Sequence, residues 1–436
     1  MRVIVLIAMA AAGFALTLWV FYPGVMTYDA GYVYDTLGAH GDIAQRPLGD
    51  WQSPVMSVLW RAVDPLAPGA GSMFLLIAAL YWLGFLMLGL ALLPRSPRLA
   101  LLAPLSALLP PAFLLAGMIW RDVLMAALFL LAAALVFAAV PCAPRRRLAA
   151  QAVALALVGL GVLLRPNALI AAPVLVAYLL WPTKFLARRA LVLYAPAALG
   201  LLALIQLVYY VVLGAERQHP VQSIMVFDLG GISHFAASKR FPGTWTAEET
   251  AMIARDCYRP TEWDLYWWRI PCRFVMKRLD EEGLFGTPRL VSAWRDAVLD
   301  RPGAYLRHRA AFFWNFLSGD TLAMWSEDIH DHTKAIFADR PLFMAAKAVN
   351  DTLKPTPLFH PGAWLSLDLL LAALAWPRRR TAAGAFALGV SLSAVVYVAS
   401  FAALGVASDF RYGYWAVLAG IAGTLGLSVR SSWMSR

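Results

Sequence analysis

This chain has little charge. Of its 436 residues only 14% are Asp, Glu, Lys or Arg, while 61% are hydrophobic. An ordinary soluble domain has about a quarter and about half, respectively. The deficit sets aside an ordinary soluble globular protein. Cysteine is scarce as well, at three residues, and no CxxC, HExxH or other cluster at metal-ligand spacing occurs, so no motif points to a zinc site. Internal repeats and low-complexity tracts are absent. The most informative absence is that of acid from one set of connections. Arg95/Arg98, Arg145–Arg147, Lys184/Arg188/Arg189 and Arg378–Arg380, with Arg2, Arg430 and Arg436, hold 14 basic residues and no acid. All 26 acids lie elsewhere, among the remaining 23 basic residues. This is the asymmetry of the positive-inside rule. The net charge of +11 therefore reports topology, and no nucleic-acid partner is expected.

What the chain has in quantity is long apolar runs. Residues 3–22, 72–93, 123–141 and 190–213 approach or exceed the ~20 residues that cross ~30 Å of hydrocarbon. The first run starts at Met1-Arg2 and no small-residue cleavage site follows it, so it reads as a retained helix. The expected fold class is an all-α polytopic membrane protein with about ten spans. These are 3–22, 72–93, 100–119, 123–141, 148–164, 167–182, 190–213, 361–376, 382–405 and 413–429, with both termini cytoplasmic. Three parts follow: a seven-helix module over 1–213 that includes outer loop 23–71, a large periplasmic segment over 214–358, and a three-helix module over 359–436. Within the outer parts, Val55, Leu59 and Val63 recur near helical spacing, which predicts an interfacial helix over 51–64. Residues 305–325 read as an amphipathic helix on the outer surface. Cys257 and Cys272 share the outer segment, where a disulfide is plausible, and Cys142 at the opposite face looks structural.

On this topology the notable polar residues collect at the outer rim. Asp29 and Asp35 follow helix 1 in "FYPGVMTYDAGYVYD". Arg121 and Asp122 in "GMIWRDVLM", Arg165 and Asn167 in "LLRPNAL", and Asp409 and Arg411 in "SDFRYGY" occupy short turns. Singly, each could be an interfacial anchor or a helix cap. Together, acids and arginines at one depth suit a site with a base and a phosphate-binding wall. In "MVFDLGGISHF", Asp228 with two glycines reads first as a structural turn and second as an acceptor entrance. "YLRHR" reads equally as lipid-touching basic helix or phosphate ligand. The Trp-rich "WDLYWWRIPC" reads as an aromatic interface belt before sugar stacking.

The stretches "YPGVMTYDAGYVYD … GDWQSPVMSVLW", "WRDVLMAALFLLAAAL", "LLRPNAL" and "DFRYGYWAVL" resemble bacterial membrane proteins of the C-type glycosyltransferase (GT-C) superfamily. That group includes protein O-mannosyltransferases and lipid A aminoarabinose transferases. The resemblance implies an enzyme of the bacterial inner membrane whose active site faces the periplasm. It would move a sugar from a polyprenyl-phosphate donor to an acceptor hydroxyl on a glycan, lipid or protein, inverting the anomeric centre. By the same resemblance Asp29 is the general base and Asp122 the second catalytic acid. Arg165, Arg307, Arg309 and Arg411 are the candidates for the donor phosphate, and Tyr28, Asp35, Trp51, Gln52, Asp228 and His308 for the acceptor or sugar. Gln52 stands where related sequences tend to carry a titratable His, and Arg121 where they carry Lys. No cofactor is required by the sequence, although two acids could hold one divalent cation through water. The competing expectation is a transporter or flippase of lipid-linked saccharide. That class places ionisable sites near the midplane, where Asp368 is the only acid well inside a predicted span.

Overall fold

The computed structural model describes residues 1–36, 47–185, 188–319, 324, 337 and 339–429. Among these the chain is helical, with three isolated β-bridges and no strand. The helices are α1 (Arg2–Phe21), α2 (Tyr28–Asp35), α3 (Pro54–Val63), α4 (Ala70–Leu92), α5 (Pro97–Ser106), α6 (Pro110–Phe113), α7 (Arg121–Ala139), α8 (Pro144–Leu164), α9 (Ala172–Leu180) and α10 (Arg188–Gln206). The outer segment holds α11 (Gln222–Phe235), α12 (Ala247–Arg255), α13 (Phe274–Glu281), α14 (Pro288–Asp300), α15 (Pro302–Ser318) and α16 (Pro341–Leu353). Three more, α17 (Pro361–Ala375), α18 (Ala382–Leu404) and α19 (Tyr414–Leu427), follow.

Among the described residues six helices are long and apolar enough to cross a membrane: Arg2–Phe21, Ala70–Leu92, Arg121–Ala139, Pro144–Leu164, Leu191–Val212 and Ala382–Leu404. The expected span over 100–119 is instead a bent pair, α5 and the turns from Pro110 to Gly117, at 54°. The cause is local: Pro110 and Pro111 withhold two backbone donors and disfavour helix in the residue ahead of them. Three other expected spans are short, with 9 residues in α9, 15 in α17 and 14 in α19. At α9 the chain first makes a 3₁₀ turn, Pro166–Ile170.

Helix α7 is the centre of the bundle, packed on α4, α8 and α19. Its alanines, among them Ala126, Ala127, Ala132, Ala133 and Ala134, are buried. Small side chains let neighbouring helices approach closely, which is how packing replaces the hydrophobic drive inside a membrane. The predicted interfacial helix is α3, started by Ser53, whose hydroxyl accepts from Met56 N at 3.2 Å, and by Pro54 at the first helical position.

In the outer segment Cys257 and Cys272 are bridged. Cys142, expected to be structural, is exposed. "DLGG" is not a turn but the middle of α11. Gly230 and Gly231 leave room there for the Tyr266 hydroxyl and the His308 ring, which would stand 1.7 and 2.2 Å from added Cβ atoms. Of the 305–325 expectation, α15 supplies the part up to Ser318, packed on α11, α14, α17 and α18. Apart from Met324, residues beyond Gly319 in that range lie outside the described residues.

Candidate active site

Backbone pairing brings the outer turns together. Val25 N donates to Gly117 O and Ile119 N to Val25 O, each at 3.1 Å, so the segment leading into α2 lies beside the segment leading into α7. Trp120 Nε1 donates to Thr27 Oγ1 at 3.0 Å, which fixes the start of α2. Ser53 Oγ donates to Leu163 O at 2.9 Å, and the Tyr209 hydroxyl donates to the same carbonyl. This ties α3 to the end of α8, and Gln52 and Arg165 follow from it. The last turn, carrying Asp409 and Arg411, is held by Trp263 N donating to Val406 O at 2.9 Å and Ser408 N to Thr261 O at 3.0 Å.

These tethers assemble a ring of charge. Arg411 Nη1 lies 2.9 Å from Asp29 Oδ2, and Arg411 Nε donates to Asp409 Oδ2 at 3.1 Å. Gln52 Nε2 donates to the other Asp29 oxygen at 3.2 Å. Arg165 Nε lies 2.9 Å from Asp122 Oδ1, a charge contact rather than an aligned hydrogen bond. Both guanidiniums also face aromatic rings, Arg165 over Tyr412 at 4.9 Å and Arg411 over Trp120 at 4.9 Å. The ring opens into a cavity of about 980 Å³. Asp29 keeps 33% of its side chain exposed and lines that cavity, whereas Asp122 is buried at 4%. Accessibility therefore separates the two acids: a reactant can reach Asp29.

Electrostatics act on Asp29 in opposite directions. Burial pushes its carboxyl up, and the charges of Arg411, Arg121 and Arg165, with the Arg411 hydrogen bond, more than offset this. The net shift is downward, and the group is a carboxylate at neutral pH. Asp264 is different. Burial first, then the neighbouring charges of Glu262, Asp29 and Asp409, push it up to about 6.

The sequence-stated candidates divide cleanly. Tyr28, Asp29, Trp51, Gln52, Arg165 and Arg411 line the cavity. Asp122 lies just behind it with Arg121, Arg165 and Trp120. Asp35 ends α2 and does not line the cavity. Arg307 is exposed on α15, away from it. Asp228, His308 and Arg309 form a separate buried cluster, with Asp228 Oδ1 at 2.7 Å from Arg309 Nε and 3.2 Å from His308 Nε2. Asp228 Oδ2 accepts from Trp294 Nε1 at 2.8 Å. Placing Arg309 on the phosphate wall, and Asp228 and His308 at the acceptor, is thus corrected: these groups are spent on one another inside the outer segment. Arg309 reaches the site only through backbone, donating to Gly405 O at 2.7 Å. Asp368 is fully buried and does not line the cavity.

Two groups at the cavity were given no role in the sequence, and one aromatic stretch also lines it. Arg121 lines the cavity, and among the described residues its side chain has no ion pair or hydrogen bond. It is a cation facing open space. Asp264 likewise lines the cavity without a side-chain partner among the described residues. In "WDLYWWRIPC", Trp263, Trp267 and Trp268 line the cavity, and Trp268 is in addition exposed. For metals, no three His, Cys, Asp or Glu side chains converge among the described residues. A divalent cation at the ring would have to draw Asp29 or Asp122 away from its arginine.

No family model matches this chain, and no curated protein matches it. Solved structures do. The oligosaccharyltransferase AglB from Archaeoglobus fulgidus, solved with an inhibitory peptide and a dolichol-phosphate, is similar at 14% identity with a TM-score of 0.42, over 97% of this chain and 50% of that one. The same archaeal enzyme solved with Zn and sulfate is similar at 14% identity and TM-score 0.42, over 98% and 49%. ArnT from Cupriavidus metallidurans in the apo state is similar at 15% identity and TM-score 0.33, over 97% and 77%. The chain spans about half the length of the archaeal enzyme.

Proposed function

We propose that this protein is a membrane glycosyltransferase that moves a sugar from a polyprenyl-phosphate donor to an acceptor hydroxyl, with inversion, at the periplasmic face of a bacterial inner membrane. The observation that carries the reading is a solvent-reachable carboxylate, Asp29, set among Arg121, Arg165 and Arg411 at the wall of one cavity. The donor phosphate would lie against Arg121, whose charge is uncommitted, with Arg411 and Arg165 beside it. The acceptor hydroxyl gives its proton to Asp29 as its oxygen attacks the anomeric carbon. The bond from that carbon to the phosphate oxygen breaks, and the electron pair leaves with polyprenyl phosphate. The arginines neutralise the departing charge in a partly dry site, where such contacts are worth most.

Donor binding also prepares the base. Asp29 alone is a weak base because three cations hold its pKa down. A phosphate arriving at those cations offsets their field, and the carboxylate becomes a better proton acceptor. The ten-crossing topology and the division at 213 and 358 belong to the same reading, with α9, α17 and α19 as short crossings beside the longer helices.

The test is Asp29→Asn in purified protein given a panel of polyprenyl-phosphate sugars. Donor binding is expected to survive, and turnover to fall by at least ~10²-fold. Asp35→Asn, away from the cavity, is expected to cost far less. Near-normal turnover by Asp29→Asn would remove Asp29 from the chemistry.

A further inference from the structure

Two chemically different sets of groups line the cavity. One is Arg121, Arg165 and Arg411 with Asp29. The other is a wall of aromatic rings. Trp51 lies 5.1 Å from Trp267, 5.8 Å from Trp263 and 6.3 Å from Phe285, centroid to centroid. Trp267 continues to Trp268 at 5.8 Å, and Trp268 to Tyr28 at 5.9 Å. Such a run of rings, most of them tilted to one another, makes a continuous apolar face rather than an isolated contact. An interface belt would turn these rings toward lipid, but Tyr28, Trp51, Trp263, Trp267, Trp268 and Phe285 all line the cavity.

Three carboxyl acceptors, Asp50, Glu262 and Asp264, line the cavity with these rings. Asp50 is engaged, accepting from Tyr210 and from Gln218 N, and Glu262 pairs with Arg259 and Arg269. Asp264 has no side-chain partner among the described residues. A ligand fitting here needs flat C–H faces to lie on indole, and O–H or N–H donors at its edge for a carboxyl. A negative charge at its edge would be repelled by Asp50 and Asp264, neither of which is ion-paired among the described residues. A phosphate or a fatty chain meets one of these demands at most. A pyranose meets them all.

We infer that the Trp51–Trp263–Trp267 wall with Asp264 is a sugar-ring subsite, selective for neutral or amino sugars over uronic acids. This rests on the glycosyltransferase reading of the same cavity and adds the class of ring that the wall takes. The ring would belong to an acceptor glycan or to the donor's sugar, and the experiment separates these.

Saturation-transfer NMR on the detergent-purified full chain needs no turnover, so it fails or succeeds independently of the transfer assay. The probes are glucosamine, N-acetylglucosamine disaccharide, glucuronic acid and, as a different class, an uncharged tripeptide. Signal from ring C–H protons of the first two is expected, with glucuronic acid weaker by about tenfold or more. Trp267→Ala should weaken binding about tenfold, while Trp267→Phe keeps most of it. Asp264→Asn should narrow the discrimination against glucuronic acid while leaving the stacking signal. That separates a carboxyl contact from a folding defect. Repeating the titration with a polyprenyl-phosphate sugar present assigns the ring: unchanged saccharide signal places the acceptor on the wall, and displaced signal places the donor's sugar there. Signal from the tripeptide alone, or saccharide signal indifferent to Trp267→Ala, would overturn the inference.

Discussion

Arg309→Met tests how the outer segment holds the site. Arg309 is buried, and its guanidinium joins Asp228 at 2.7 Å to the Gly405 carbonyl at 2.7 Å. Remove it and the Asp228 carboxylate, 1% exposed, keeps only the Trp294 N–H and His308. His308 replaces only part of that charge: burial, and in the intact cluster the Arg309 charge as well, push its pKa down against the pull of Asp228. Breaking one side of a buried pair costs about 3–5 kcal/mol, because the remaining charge is left uncompensated. Replacing both partners with apolar groups is often close to neutral, so Arg309→Met with Asp228→Leu should recover most of the loss. Unfolding by SDS titration in mixed micelles measures both variants, and the four states close a double-mutant cycle. A second readout is local. The amides of 405–412 should exchange hydrogen faster in Arg309→Met, since Gly405 has lost its donor. If the single variant costs less than ~1 kcal/mol, or if the double variant costs the sum of its parts, the cluster does not work as described.

Arg121→Gln should raise the KM for donor about tenfold or more with a smaller change in kcat, and Arg121→Lys should restore part of it, because a charge rather than a fork of donors is what faces open space. Intact-mass analysis after alkylation without reductant should find one modified thiol, Cys142, and Cys257→Ser with Cys272→Ser should lose about 3 kcal/mol in the chain-entropy account of a 15-residue separation. On intact cells an impermeant maleimide should leave the wild-type protein unlabelled despite its exposed Cys142, and should label Glu248→Cys at the start of α12. Labelling of both, or of neither, would refute the assigned sidedness.

Much of the architecture was legible because the membrane simplifies the physics. Apolar length locates α1, α4, α7, α8, α10 and α18, and the segregation of arginine carries the sidedness we propose. The bend between α5 and α6 was also visible, in Pro110 and Pro111, but an apolar count does not register a withheld donor. Other features depend on direction. Arg307, His308 and Arg309 are neighbours in sequence, yet successive helical residues point about 100° apart. One therefore faces outward and two face α11. Asp29 was recognisable from its position after α1. That Arg121, unlike Arg165 and Arg411, makes no ion pair among the described residues depends on three turns meeting in space, and spacing along the chain carries no such information. The tryptophans of 263–268 show the same limit, because an indole has one composition whether it meets lipid or substrate.

The antiparallel pairing of Glu262 with Ala407 has a practical meaning for exchange of parts. The stretch bearing the aromatic wall and the stretch bearing Arg411 share backbone hydrogen bonds, Trp263 N to Val406 O and Ser408 N to Thr261 O. Neither can be transplanted alone. A chimera that imported residues 258–272 without 405–412 would keep those bonds only where the new backbone follows the same path, and would otherwise leave amides and carbonyls unpaired at the mouth of the cavity. Specificity and phosphate handling would therefore be inherited as a matched pair, and variation in one stretch should be accompanied by variation in the other.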